Sequence, residues 1–239
     1  MTQDRRHNGI DHGEEAEALS ALVIAVDGPS GSGKSSTARG VAARLAFAYL
    51  DTGAMYRAVT WAMLERGVAV EDPEAVAKAA ADVVIESGTE PLAPTIVADG
   101  TDVSGPIRGP EVTAAVSAVS AVPEVRAKLV RLQRDLIAAA GDIVVEGRDI
   151  ASAVAPDAPV KVYLVADAGA RAQRRTAELG GDAEQVALTQ ADLARRDRLD
   201  SSRAASPLLR ADGATEIDTT HLSLDEVIDE VVRLAEQAS

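Results

Sequence analysis

Eight consecutive residues, Gly28-Pro29-Ser30-Gly31-Ser32-Gly33-Lys34-Ser35, carry the most specific chemistry in this 239-residue chain. They fit the spacing G-x-x-x-x-G-K-[ST] of a phosphate-binding loop. The glycines let backbone N–H groups converge on phosphate oxygens, and the start of a following helix adds partial positive charge. Lys34 can reach β- and γ-phosphates, the Ser35 hydroxyl can ligate Mg²⁺, and Ser36 continues the cradle into the helix. At ordinary glycine usage, chance would produce the four fixed positions in roughly one chain of this size in a hundred. A nucleoside triphosphate is therefore the expected ligand.

Three further segments carry charge that could serve a second anion. Asp51-Thr52-Gly53-Ala54-Met55-Tyr56-Arg57 follows a short apolar run, and Glu146-Gly147-Arg148-Asp149 follows another. The segment from Arg195 to Arg203 places four arginines against two aspartates in a chain whose formal net charge is −14. By itself that run reads as a solvated helix laced with i,i+3 and i,i+4 ion pairs. Beside a phosphate loop it reads as anion-binding. A guanine-nucleotide switch needs an Asn-Lys-x-Asp segment to read its base, and the one asparagine is Asn8. A small-molecule kinase is the leading reading; a non-catalytic ATP-binding regulator stays open.

These residues need elements to hold them. The apolar, β-branched run 22–26 predicts a strand buried on both faces, followed by the glycine loop and a helix to about 46. A short strand at 48–50 precedes a helix over 54–65 closed by Gly67. Asp72-Pro73 marks a helix start. Short strands at 83–85 and 95–97, with Asp99-Gly100 as a hairpin turn, predict a small β-rich insert. Helices follow from 110 with a break at Pro123 and a long run to 140, then strands at 143–145 and 160–165. Helices over 167–179 and 184–203, a strand at 216–218 and a helix opened by the Ser223–Glu226 capping box complete the chain. Strands alternating with helices predict a mainly parallel sheet with helices on both faces.

Composition narrows the function. Without cysteine there is no thiolate nucleophile, disulfide or cysteine zinc site, and His7, His12 and His221 are too scattered for a metal cluster. An acidic chain with 2% aromatics is a poor nucleic-acid binder. No segment is long and apolar enough to span a bilayer, and residues 1–20 read as a polar tail without a signal-peptide core. A cytoplasmic monomer, with no nucleic-acid or membrane partner, is expected.

The phosphate loop, the Asp51–Arg57 segment, Glu146-Gly147-Arg148-Asp149 and the arginine-rich run, in this order from about Leu22 to the C-terminus, resemble the bacterial cytidylate kinases. Adenylate kinases are similar at the phosphate loop but not at Tyr56-Arg57 or Gly147-Arg148-Asp149. The resemblance implies an α/β P-loop kinase domain over 21–239 with a five-stranded parallel sheet. It also implies a nucleoside-monophosphate region with the β-rich insert at about 52–140 and a helical LID at about 180–210. It implies transfer of the γ-phosphoryl group of ATP to CMP or dCMP with Mg²⁺; another monophosphate kinase of the same fold is the alternative. Carried over residue by residue, Thr52, Arg126 and Asp149 face the cytosine and Ser117, Arg196 and Asp200 lie near the sugar. Arg57, Arg148 and Arg203 hold the CMP phosphate, while Lys34, Arg196 and Arg203 act in catalysis.

Base chemistry supports that assignment. Cytosine offers an amino donor at N4 and acceptors at N3 and O2, so a carboxylate and an arginine complement it, whereas uracil's position-4 carbonyl faces a carboxylate badly. Tyr56 is expected to pack near the nucleotide and Trp61 in the core. Asp27 and Glu146 are alternative candidates for the metal's outer shell, with a structural hydrogen bond the competing reading for Asp27. Arg171, Arg174 and Arg175 are placed at ATP phosphates or a LID hinge, and His221 in a loop without catalytic duty.

Overall fold

The computed structural model describes residues 21–203 and 207–238; the tail expected over 1–20, and 204–206 of the expected LID, lie outside the described residues. Along the chain, β1 (Val23–Asp27) leads through the glycine loop to α1 (Lys34–Leu45), β2 (Ala48–Asp51), α2 (Thr52–Glu65) and α3 (Pro73–Ala80). β3 (Ile85–Ser87), β4 (Ile96–Ala98) and β5 (Thr101–Asp102) follow, then α4 (Pro110–Ala121) and α5 (Pro123–Ala140). β6 (Ile143–Gly147) runs into a π-helical turn at Ile150–Val154, followed by β7 (Val160–Val165) and α6 (Ala168–Glu178). α7 (Val186–Ser202), β8 (Thr215–Asp218) and α8 (Leu224–Ala238) close the fold.

Five strands form one parallel sheet in the order β2-β6-β1-β7-β8. Alternation along each strand divides the core in two. Ile24, Val26, Tyr49, Val144, Val162 and Leu164 point to the side covered by α1 and α8. Ala25, Leu50, Ile143 and Val145 point to the side covered by α2 and α5. Both faces of the central strands are thus dry, the condition for a run of apolar residues without polar alternation. α1 and α8 approach closely at Gly40, where an added Cβ would stand 2.2 Å from Ile228 Cδ1.

The insert is a separate antiparallel sheet, β3-β4-β5. Asp99 and Gly100 both adopt positive φ, 50° and 76°, the primed turn that Asp-Gly favours. Its strands sit one or two residues later than the sequence suggests. The Val84 N–H is satisfied by the Asp99 carboxylate at 2.9 Å instead of by a strand partner, so regular pairing starts at Ile85. α2 likewise starts two residues before the expected Ala54, because the Asp51 carboxylate accepts the Ala54 N–H at 2.8 Å and caps it. The expected helix start at 184 is a 3₁₀ turn, Ala183–Gln185, before α7. Gly67 closes α2 as expected, with φ 64° and the Val68 N–H on the Met63 carbonyl. The capping box is formed: Ser223 N–H donates to Glu226 Oε2 at 2.8 Å, and Glu226 N–H to Ser223 Oγ at 3.3 Å.

Candidate active site

The carboxyl ends of β1, β2 and β6 converge on one cleft, where ligands bind in open α/β sheets. From β1 comes the phosphate loop. Gly28 has φ 151°, and a Cβ there would stand 2.3 Å from the Leu164 carbonyl oxygen, so only glycine lets the loop leave the sheet beside β7. α1 begins at Lys34 behind Gly33, with no side chain capping its first turn and no acidic residue in it. Its N–H groups are thus left for an external anion. Lys34 is buried and folds back on the loop, its Nζ donating to the Pro29 carbonyl at 2.7 Å. Burial first, and Arg148 second, hold its pKa well below the usual lysine range.

From β6 come Glu146, Gly147, Arg148 and Asp149. Glu146 lies at the cleft floor next to Ser35, accepting from the Tyr49 hydroxyl at 2.9 Å. Burial pushes its pKa up, with Asp51 adding to the effect. Arg148 reaches in two directions, Nη2 to Ser30 Oγ at 2.7 Å and Nε to Asp200 Oδ2 at 3.1 Å. Asp149 pairs with Arg126 of α5, and both are almost fully buried. The Arg126 guanidinium carbon stands 5.4 Å from the centroid of the Tyr56 ring on α2, a cation–π contact. Thr52 donates to the Glu146 carbonyl at 2.7 Å, tying α2 to β6.

The remaining wall is contributed by α2, α4 and α7. Arg57 Nη1 donates to the Ile107 carbonyl and to Thr113 Oγ1, each at 3.0 Å. Ser117 of α4 is buried at the cleft. Arg196 and Asp200 of α7 are buried, and Arg203 Nε donates to the Asp200 carbonyl at 3.2 Å. These cations crowd one another. Burial, then Arg196 and Arg175, bring Arg57 down to about 9; burial, then Arg148, bring Arg196 down to about 10. All stay charged at neutral pH. Arg196 Nε and Arg203 Nη2 are buried without an acceptor among the described residues.

Ser30, Gly31, Gly33, Lys34, Ser35, Ser36, Thr52, Tyr56, Arg57, Ser117, Arg126, Arg148, Asp149, Arg196, Asp200 and Arg203 thus line a single cleft. Gly28, Pro29 and Ser32 shape the loop instead of facing the cleft. Asp27 makes structural hydrogen bonds: its two carboxylate oxygens accept the N–H groups of Ile150 and Ala151 at 2.9 and 2.8 Å. Of the two candidates for the metal's outer shell, Asp27 is thus hydrogen-bonded to the turn after β6, and Glu146 lies next to Ser35. The three arginines of α6 separate in role. Arg171 pairs with Asp197 and donates to the Ser30 carbonyl at 2.9 Å, Arg174 binds Thr219 after β8, and Arg175 lines the cleft. Trp61 packs against the core, and His221 is exposed in a loop.

Arg108 and Ser120 also line the cleft and were not singled out by sequence. Arg108 ends a 3₁₀ turn, Pro106–Arg108, and its one signal is a lone arginine before the Gly109-Pro110 helix start. Among the described residues no group of three or more His, Cys, Asp or Glu side chains could cage a metal. No helix of the described residues is long and apolar enough to cross a membrane.

Known proteins resemble this chain over most of its length. The family model for cytidylate kinase matches residues 24–237. The cytidylate kinase of Streptomyces griseus is 57% identical over 220 residues, covering 92% of this chain and 94% of its own. That of Nocardia farcinica is 53% identical over 218 residues, covering 90% and 94%. That of Corynebacterium glutamicum is 49% identical over 221 residues, covering 91% and 96%. A match that spans the phosphate loop, the β-rich insert and the arginine-bearing helix together places this chain in the cytidylate kinase family, the ATP-dependent kinases of CMP and dCMP.

Proposed function

We propose that the cleft binds ATP on the phosphate loop and CMP or dCMP between α2, α4, α5 and the end of β6, and passes the γ-phosphoryl group in line between them. The observation that carries this reading is the excess of buried cation. Lys34, Arg57, Arg148, Arg196 and Arg203 share one cleft, where burial first and neighbouring guanidinium groups second weaken the hold of Lys34, Arg57 and Arg196 on their protons. In a chain of net charge −14, such a cluster costs stability unless anions fill it. Two phosphate-bearing ligands would relieve it.

In this reading Arg57, Arg148 and Arg203 hold the CMP phosphate, and Arg126 and Asp149 meet the cytosine edge, with Thr52 at the turn beside them. Ser117, Arg196 and Asp200 surround the sugar. An oxygen of the CMP phosphate attacks the γ-phosphorus as the bond from that phosphorus to the β–γ bridging oxygen breaks, and ADP leaves. The attacking oxygen needs no general base, since a phosphate monoester with a second pKa of about 6 is already ionised at neutral pH. The protein's contribution is alignment and neutralisation by Lys34, Arg196 and Arg203.

The Ser35 hydroxyl with the Glu146 carboxylate beside it fits Mg²⁺, which keeps most of its waters and takes few protein ligands. The ion would supply charge at the β- and γ-phosphate oxygens. α7 acts as the LID, its Arg196 and Arg203 closing over the transferring group. In this reading the enzyme works as a cytoplasmic monomer.

The test is ADP release with ATP and Mg²⁺ over CMP, dCMP, UMP, AMP and GMP. Turnover highest on CMP and dCMP is expected. Turnover highest on a purine monophosphate would overturn the base assignment.

A further inference from the structure

Gln133 lies in the middle of α5, fully buried, although glutamine is ordinarily a surface residue. It shares the inward stripe of α5 with Arg126 and Leu129, seven and four residues earlier. Gln133 Nε2, Gln133 Oε1 and the Tyr56 hydroxyl find no partner of ideal hydrogen-bond geometry among the described residues, and the side chain within looser hydrogen-bonding reach of the hydroxyl is Gln133 itself. These orphans belong together: Gln133 is the polar side chain set against the Tyr56 hydroxyl, whose pKa burial pushes up to about 12. Tyr56 in turn puts its ring under Arg126, and Arg126 pairs with Asp149. A phenylalanine would supply that ring, and a leucine at 133 would fill the core without stranding an amide. The chain carries a polar pair at a place where an apolar pair would leave no amide or hydroxyl to satisfy.

We infer that Gln133 is a positioning residue for base recognition: by anchoring the tip of Tyr56 it fixes the ring that supports Arg126 against Asp149. This rests on the reading that Arg126 and Asp149 meet the cytosine. Gln133 never touches substrate. It sets how tightly the Arg126–Asp149 pair is aimed, and so how sharply cytosine is told from uracil.

The test is steady-state kinetics of Gln133→Leu on CMP and UMP, in the wild-type and Tyr56→Phe backgrounds, with thermal unfolding alongside. In the wild-type background, Gln133→Leu should raise the KM for CMP by about tenfold, the scale of one misaligned cation–π support, and erode the CMP-over-UMP ratio. The KM for ATP and the unfolding midpoint should stay close to wild type. In the Tyr56→Phe background the same substitution should change the ratio little, because the hydroxyl it serves is gone. An unchanged CMP-over-UMP ratio, or an equal effect in both backgrounds, overturns the inference. If Gln133→Leu does not fold, Gln133→Met is read by the same criteria. Asp149→Asn separates the two levels: if it shifts the ratio and Gln133→Leu does not, this inference alone falls. If neither shifts it, the cytosine reading falls with it.

Discussion

Arg148 Nη2 donates to Ser30 Oγ across 2.7 Å, which fastens the arginine proposed to hold the acceptor's phosphate to the loop that cradles the donor's. The two halves of the cleft are therefore coupled before any ligand arrives. Arg148 also holds Asp200 at 3.1 Å, so a single guanidinium ties β6, the phosphate loop and α7 together. A fixed guanidinium loses less freedom on binding phosphate than a free one.

Ser30→Ala removes one of those anchors without changing charge. A hydrogen bond from a charged donor contributes about 1.5–3 kcal/mol. With Asp200 still in place, the KM for CMP should rise about tenfold, more than the KM for ATP. Steady-state titrations of each substrate at saturating levels of the other would check this; an effect confined to ATP would show that the contact does not serve the acceptor.

Asp149→Asn keeps the shape of a side chain whose carboxylate is almost fully buried against Arg126. The amide can donate toward uracil's position-4 carbonyl, where the carboxylate cannot. Because polar complementarity can discriminate strongly when the wrong ligand leaves buried groups unpaired, the CMP-over-UMP ratio should fall by about 100-fold. Competition between the two monophosphates in one reaction measures the ratio directly. A ratio within twofold of wild type would remove Asp149 from base recognition.

What the sequence makes legible here follows from how local each signal is. The phosphate loop, the Asp72 and Ser223 caps and the Asp99-Gly100 turn are each fixed by contacts within a few residues, and all of them are formed. The arginine-rich run shows the limit. As a string it is a charged helix, yet α7 sorts it by face. Arg196 and Asp200 turn inward, Asp197 holds Arg171 and the Ser30 N–H, and Arg195 pairs with Asp192 at the surface. Gln133 and the π-helical turn after Asp149 give no sequence signal, because a buried glutamine and a turn whose first N–H groups are taken by Asp27 depend on partners far along the chain. Asp27 is the intermediate case: its place before the loop flags it, but only the fold reveals that its partners lie at Ile150 and Ala151.

Asp27 gives a pH-dependent prediction. Burial, only partly offset by its two N–H partners, raises its pKa to about 6. A carboxyl whose folded value lies above its unfolded value of 3.8 binds its proton more tightly in the native state. Its stabilising contribution is therefore complete below about pH 4 and lost as pH rises through about 6. Asp27→Asn, like the protonated carboxyl, offers one carbonyl oxygen and has no proton to lose, so it should match wild type most closely near pH 4. Relative to wild type it should gain roughly 3 kcal/mol between pH 4 and pH 7, because stability changes by about 1.4 kcal/mol for each pH interval of one between the unfolded and folded values. Urea unfolding of both proteins across that range checks it; a gap constant with pH would mean that Asp27 is not perturbed.

Lys34 has the opposite sign and links stability to function. Burial and the nearby Arg148 guanidinium lower its pKa, so the folded apo protein binds this proton less tightly than the unfolded chain. Stability from this group grows as pH rises from the lowered value toward the ordinary lysine value, and it is absent below the lowered value. Lys34→Met should then stabilise the apo protein by about 1–2 kcal/mol at pH 7, with the advantage shrinking toward pH 10. The same change should cut phosphoryl transfer by at least about a thousandfold, since Lys34 is the one ammonium on the loop. A triphosphate brings negative charge to Lys34 and restores its affinity for the proton. ATP binding at pH 8, where phosphate oxygens are already ionised, should therefore be accompanied by proton uptake. Calorimetry in buffers of different ionisation enthalpy measures that uptake. Lys34→Arg, whose guanidinium stays charged throughout, should abolish it. Binding without any proton uptake in the wild-type protein would mean that Lys34 is already fully charged in the empty cleft, and the added stability of Lys34→Met should then be missing as well.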